Sequence, residues 1–232
     1  MFYIILFFII IVIFLYYLFR DTKKNINYIL QNHYYINLEH RIDRKNITIN
    51  ELKKIGIKEP NRFNAIKNDN GLIGCCMSHL EVLKLAKKKD WDYITIFEDD
   101  VEFLKPEETL KKINNIFNSK IRWDVIILGG NNSQPYKKIN NDCIQVFNCQ
   151  TTTSYIVKKE YYDKLIDHWT EGLNNLIATN DSPKYALDIT WKQLQNIDTF
   201  LLVIPINVVQ RESYSDIENR NVNYKNVMLN YL

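Results

Sequence analysis

The chain has 232 residues, 46% of them hydrophobic, and a formal net charge of +3. That length fits one domain, and so slight a charge gives no ground for a nucleic-acid partner. Asn, Lys and Ile are abundant, so runs of Asn and Lys are discounted as binding patches.

The first 19 residues, "MFYIILFFIIIVIFLYYLF", are uncharged and apolar, and Arg20 ends the run. At about 1.5 Å per residue, such a helix crosses a hydrocarbon core of roughly 30 Å. The charged start and small-residue cleavage site of a signal peptide are missing. The sequence predicts a single-pass membrane anchor over 1–19, a polar stem over 20–32 and one globular domain over 33–232. Lys and Arg follow the span but do not precede it, which favours a cytoplasmic domain. Two sequons, at Asn46 and Asn131, would suit a lumenal one. The orientation stays open.

Tyr34 to Leu38 reads as a strand followed by a charged loop, "EHRIDRK". Apolar residues at Ile42, Ile47, Ile49, Leu52 and Ile55 then keep helical spacing in large part, with Gly56 as the stop. "RFNAI" reads as a short strand. "GLIGCCMSHLEVLKLAKKKDW" reads as a helix whose lysines gather at its C-terminal end, where the helix dipole favours cations. "DYITIF" is a third strand and runs directly into Glu98, Asp99 and Asp100. A helix over 106–118 takes Pro106 in its first turn. "WDVIILGG" reads as a strand stopped by its two glycines, and "NNSQPYKKINND" as a loop. "CIQVFNCQTTTSYIV" is strand-rich, and "KKEYYDKLIDHW" is helical. "SPKYALDITWKQLQ" turns into a helix with Asp188 near its start. "TFLLVIPINVVQ" reads as one strand and the polar remainder as irregular. Strands alternating with helices predict an α/β domain with a largely parallel sheet.

The acids are the main chemical signal. Side chains alternate along a strand, so Glu98 and Asp100 are expected to face one way and Asp99 the other. Two acids on one side of a strand end repel unless a cation sits between them. A hard divalent ion with oxygen ligands is the natural choice. The plainer reading is a solvated turn. Arg41 and Arg44 follow the first strand and suit phosphate oxygens, with Asp43 placed to orient one of them. The plainer reading there is a charged helix start. Ser78 and His79 fall inside a helix, where a lone His is usually a satisfied structural residue. The four cysteines include no pair with zinc-ligand spacing and read as buried free thiols.

"YYINLEHRIDRK", "RFNAI", "GLIGCCMSHLEVLKLA" and "DYITIFEDDVEF", in this order, resemble glycosyltransferase family 25. "WDVIILGG", "TTTSYIVKKEYYDKL", the Leu187-Asp188 pair and "PINVVQRESYSDIENR" extend the resemblance to about Arg220. The family includes lipooligosaccharide and procollagen galactosyltransferases. The resemblance implies a GT-A fold, a divalent metal such as Mn2+ and a UDP-hexose donor. The acceptor would be a glycan, a lipid-linked saccharide or a hydroxylysine-bearing protein. It places Asn37, Arg41, Arg44, Ser78, His79, Asp99 and Gln210 near the nucleotide sugar and the metal on Glu98 and Asp100. Gly74, Ser215 and Asp216 also match its motifs. The inverting transfer it implies needs a base, for which Asp188 is the candidate; the plainer role is a helix N-cap. Glu98 stands next in line as a catalytic group. Leu72 departs from the family, which commonly has an acid there; this bears on acceptor choice. The alternatives are a non-catalytic binding or adhesion protein with the same fold and a metal-dependent phosphoester hydrolase.

Overall fold

The computed structural model describes residues 26–230. The anchor predicted over 1–19 lies outside the described residues. Among the described residues, no helix is long and apolar enough to cross a membrane.

The chain runs α1 (Ile26–Gln31), β1 (His33–Asn37), α2 (Ile42–Lys54), β2 (Arg62–Asn64), α3 (Gly71–Lys88), β3 (Tyr93–Glu98), β4 (Val101–Phe103) and α4 (Pro106–Phe117). It continues through β5 (Val125–Asn132), β6 (Tyr136–Lys138), β7 (Cys143–Val146), β8 (Cys149–Lys158), α5 (Tyr162–Thr179), α6 (Ser182–Tyr185) and α7 (Leu187–Gln195). β9 (Phe200–Val203), β10 (Val208–Gln210), β11 (Ser213–Ser215), β12 (Arg220–Val222) and α8 (Lys225–Leu229) complete it.

Eight strands form the central sheet in the order β2-β1-β3-β8-β5-β9-β7-β6. Its inner strands, such as β3, β5, β8 and β9, are apolar on both faces, as burial between two helical layers requires. Ile94 and Ile96 of β3 point to one core with Ile127 of β5, Tyr155 of β8, and Trp169 and Trp191 from α5 and α7. Phe97 points to the other, with Ile29 of α1, Leu52 of α2 and Ile113 and Ile116 of α4. Alternation along each strand thus sorts one run of hydrophobic residues into two cores.

The sheet is mixed rather than largely parallel. β1 pairs parallel to β2 and β3, and β5 to β9, while β8 lies antiparallel to both β3 and β5. The physical reason is the link between β5 and β8. It contains strands and short turns but no crossover helix, and a direct return gives antiparallel pairing.

Other expectations change as well. β5 continues through Gly129 and Gly130 to Asn132. A Cβ at Gly129 would come 2.2 Å from the Val208 carbonyl oxygen, so this glycine permits close packing of β10 and does not end the strand. The segment expected to be a loop holds β6, which pairs with β7. "TFLLVIPINVVQ" is two strands in different sheets: β9 in the main one, and β10 paired with β4. Pro205 lies between them and has no N–H to give a ladder. The polar remainder forms a hairpin, β11–β12, and α8. Part of the expected stem is also structured, since Ile29 and Leu30 of α1 are buried in the core. The Gly56 stop holds: its φ of +85° is the left-handed conformation that ends α2.

Candidate active site

The carboxyl ends of the parallel strands β1 and β3 open on a cavity of about 330 Å³. Ligands gather at this edge of α/β sheets. Asn37, Arg44, Ser78, His79, Glu98, Asp99, Asp100 and Gln210 all line it, while Arg41 and Asp188 do not.

β3 ends at Glu98, and Asp99 and Asp100 form a turn into β4. The strand alternation expected across the three acids therefore stops one residue early, and all three line the cavity. Asp99 is nevertheless fully engaged. Its Oδ1 accepts from Arg44 at 2.5 Å and its Oδ2 from Asn37 Nδ2 at 2.7 Å. Asp100 is held on one side only. Oδ2 accepts from Gln210 Nε2 at 2.9 Å and lies 3.3 Å from Arg44, while Oδ1 is buried without a hydrogen-bond partner. Burial, with Glu98 nearby, pushes the Asp100 carboxyl up to about 7.

Glu98 accepts from the Thr152 hydroxyl at 2.6 Å, and its Oε1 lies 3.4 Å from His79 Nε2. Burial pushes its carboxyl up, but the His79 ring and the Thr152 hydroxyl outweigh this and leave it below the ordinary value. β8 brings Thr152 here because Ser154 pairs with Phe97, which sets the next residues of β8 against the end of β3.

Arg44 reaches into the wall from α2. Besides the two aspartates it donates to Ser213 Oγ at 2.6 Å and the Tyr214 carbonyl at 3.3 Å. Arg41 is turned elsewhere. Its fork grips Asp43 at 3.0 and 2.9 Å, and its third nitrogen meets Asp216 and the Tyr214 carbonyl. Asp43 orients Arg41, as its position between the arginines suggested. Together the arginines tie the β11–β12 hairpin across the cavity mouth, where Ser215, Asp216 and Ile217 are lining residues.

Ser78 is a bracket. Its hydroxyl donates to the Gly74 carbonyl at 2.7 Å and accepts from Ile66 N–H at 2.8 Å, pinning a cavity loop to α3. The close approach needs Gly74, since a Cβ there would sit 2.5 Å from the Ile66 carbonyl oxygen. Asn37 is similarly spent: it binds Asp99 and accepts from Arg62 Nε at 2.9 Å.

Asp188 lies in the first turn of α7, and that helix has no side-chain cap. The N-cap role is therefore not the one it fills. Its Oδ2 accepts from Thr151 N–H at 3.1 Å. Thr151 has φ +80°, a strained conformation for a β-branched residue. Burial raises the Asp188 carboxyl, and the Thr151 N–H only partly offsets this; Glu98 is close enough to add to the rise.

Sequence reasoning missed Thr152 and Tyr155. "TTTSY" is visible in the chain, but nothing local reveals that its hydroxyls meet Glu98 and His79 across the sheet. As a metal site the cavity offers oxygen ligands: Glu98 and Asp100, the latter with its unpartnered buried oxygen. Glu98, Asp99 and Asp100 share the guanidinium of Arg44, while Asp69, Asp216 and Lys67 line the cavity besides. This hard, negatively charged donor set fits a divalent ion such as manganese.

Residues 69–181 match the model of glycosyltransferase family 25, described as LPS biosynthesis protein. Over that stretch, just under half of the chain, the protein is similar to glycosyltransferase family 25, which supports a transferase enzyme. The family 25 match spans Ser78, His79 and the three acids, while Asn37, Arg44, Asp188 and Gln210 fall outside it. No curated protein is similar enough to count as a match. Among solved structures, a protein from STIV is similar at a TM-score of 0.46 and 12% identity, over 82% of this chain and 92% of that one. A glycosyltransferase involved in glycosylation of the major capsid of PBCV-1 gives 0.40 and 9%, over 75% and 93%. A Drosophila galactosyltransferase in complex with manganese, UDP-Gal and xylobiose gives 0.33 and 11%, over 57% and 50%. These likenesses are too distant for residue correspondence.

Proposed function

We propose that this domain is a family 25, GT-A-type, metal-dependent, inverting hexosyltransferase. Its donor would be a UDP-hexose carrying galactose or glucose. Its acceptor would be a hydroxyl of a glycan, a lipid-linked saccharide or hydroxylysine. The observation that carries this reading is Asp100: a buried carboxylate beside Glu98 and Asp99, with one oxygen unpartnered and facing excess negative charge. The cavity volume also suits a small-molecule ligand.

In this reading Glu98 and Asp100 hold the cation, which supplies Lewis-acid stabilisation of the leaving diphosphate. Gln210 fixes the rotation of Asp100, and Thr152 fixes that of Glu98. Asp99 acts through Arg44, holding the guanidinium at the cavity wall where it favours an anionic leaving group. The bond from the anomeric carbon to the acceptor oxygen forms as the bond to the diphosphate oxygen breaks. The acceptor proton passes to a base. Asp188 takes that part, with its raised affinity for a proton and one oxygen set by Thr151 N–H.

The reading also keeps a single-pass anchor over 1–19, on the sequence alone, with protease protection of sealed vesicles to decide which side the domain faces. The direct test is donor binding and hydrolysis by the full chain in detergent, across UDP-hexoses, with and without Mn2+. Binding of one UDP-hexose that requires the ion is expected. Equal binding without it would overturn the metal reading.

A further inference from the structure

Cys75 and His79 are four residues apart on α3, so they project from one face of the helix. That face meets the end of β3, where Glu98 stands. The Cys75 sulfur, a His79 ring nitrogen and a Glu98 carboxylate oxygen all lie within 4.8 Å of one another. All three residues line the cavity. Spacing between cysteines gives no sign of this group, because the partners of Cys75 are a His on the same helix and a Glu from a strand.

His79 is fully buried, yet its Nε2 has no hydrogen-bond partner. Glu98 Oε1 lies 3.4 Å away, close but without hydrogen-bond geometry. Buried polar atoms are nearly always paired, so an orphan calls for an explanation. The other ring nitrogen, Nδ1, is 2.7 Å from the Tyr155 hydroxyl. With Nδ1–H donating to that hydroxyl, the Nε2 lone pair is left facing the Glu98 carboxylate, an arrangement that needs a cation between the two. This is the tautomer a metal-binding imidazole takes, with its second nitrogen held by an outer partner. Thr152 orients Glu98 in the same manner.

We propose that Cys75, His79 and Glu98 form a second metal site, one that takes a borderline-soft divalent ion such as zinc. Sulfur, nitrogen and oxygen from three side chains, with a fourth position open to the cavity, is a zinc-type ligand set. It differs from the oxygen-only set of Glu98 and Asp100, which suits manganese. Binding replaces the thiol proton of Cys75, which leaves to solvent, and forms a sulfur–metal bond with no change of oxidation state. Glu98 belongs to both sets, so the two ions compete for it. That competition rests on the donor-site reading above; the zinc site itself does not.

The test uses metal alone, without nucleotide sugar, and the full chain in detergent. Co2+ titration should produce the tetrahedral visible bands and a near-ultraviolet thiolate-to-cobalt band, both displaced by Zn2+ and not by equimolar Mn2+. Cys75→Ser should lose the thiolate band, and Cys76→Ser should keep it. Tyr155→Phe removes only the outer hydroxyl and should weaken zinc binding by about 10- to 100-fold. X-ray absorption on zinc-loaded wild-type protein needs no variant and should find one sulfur beside nitrogen and oxygen. A thiolate band that survives Cys75→Ser, no band at any Co2+ concentration, or a zinc shell without sulfur would each overturn the site.

Discussion

Asp99 and Asp100 are neighbours with different tasks. Asp100→Ala removes the half-engaged acid and relieves repulsion with Glu98, so the variant should fold at least as stably in metal-free buffer. It should lose Mn2+-dependent donor binding, measured by calorimetry; unchanged affinity would remove Asp100 from the metal. Asp99→Ala should instead lower stability by about 2 kcal/mol, because it strips a charged hydrogen bond from Arg44. Urea denaturation measures that difference. Asp188→Asn keeps the oxygen that Thr151 N–H needs but gives up basicity. Its turnover should drop by about 10²–10⁴-fold with donor affinity nearly intact. A variant that keeps its turnover would send the search for the base to Glu98 or His79. His33 offers a pH test away from the cavity. Its Nδ1 lies 2.7 Å from the Leu30 carbonyl, and Nε2 accepts from Asn61 N–H at 3.0 Å, so protonation has no room. Burial lowers its pKa below the usual 6.5, with the Leu30 and Gln31 carbonyls offsetting only part. The unfolded chain therefore gains the proton first. Stability falls as pH drops below about 6.5, by at most about 1.4 kcal/mol per pH unit, and levels off below the folded pKa. Urea midpoints at two pH values should shift less in His33→Gln than in wild type.

At the level of elements, α3 carries the sharpest conflict between local preference and packing. Ala is a better helix former than Gly by about 1 kcal/mol. At position 74, though, the added methyl would strike the Ile66 backbone, and overpacking costs about 1–3 kcal/mol. Gly74→Ala should thus be net destabilising, seen as a lower thermal midpoint; a higher one would show that the 66–68 loop yields. Periodicity and capping made most elements legible, from α2 with its Gly56 stop to α4 with Pro106 at its start. What failed were judgements that depend on distant neighbours. Gly129 looks like a strand end until β10 is seen lying against it. β9 and β10 look like one strand because their apolar run is continuous, and only their partners in separate sheets reveal the split. Among site residues, the acids and Arg44 were visible as types in a pattern, and Gln210 only through the family resemblance. Thr152 and Tyr155 were not, because a hydroxyl near a carboxylate 54 residues away leaves no mark on local sequence.

On the scale of the whole molecule, the two cores bear on how far the chain can be shortened. Among the described residues, Ile29 is the first in chain order to enter either core. A chain lacking residues 1–24 keeps every described core residue and should stay folded and soluble. Extending the deletion through Asn32 removes Ile29 and Leu30, both buried beside Phe97 and Leu52. Losing side chains of this kind costs about 2–5 kcal/mol each, comparable to the whole stability of a small domain. The longer deletion should therefore aggregate, while the shorter one gives a single cooperative melt; identical behaviour would show that α1 is dispensable.

The hairpin that Arg41 and Arg44 hold has a consequence for synthesis. Arg44 meets Ser213 across 169 residues of chain, and Arg41 meets Asp216 across 175. While a ribosome is still making the chain, α2 and the acids of β3 are already outside the exit tunnel with one wall of their pocket missing. Gln210 follows Asp100 by 110 residues, and the hairpin follows Gln210. A stalled chain ending before residue 210 would hold the acids and the arginines yet have nothing to turn Asp100 or close the mouth. Ligand capture should accordingly switch on late and abruptly as nascent chains lengthen, not in proportion to the number of motifs already translated.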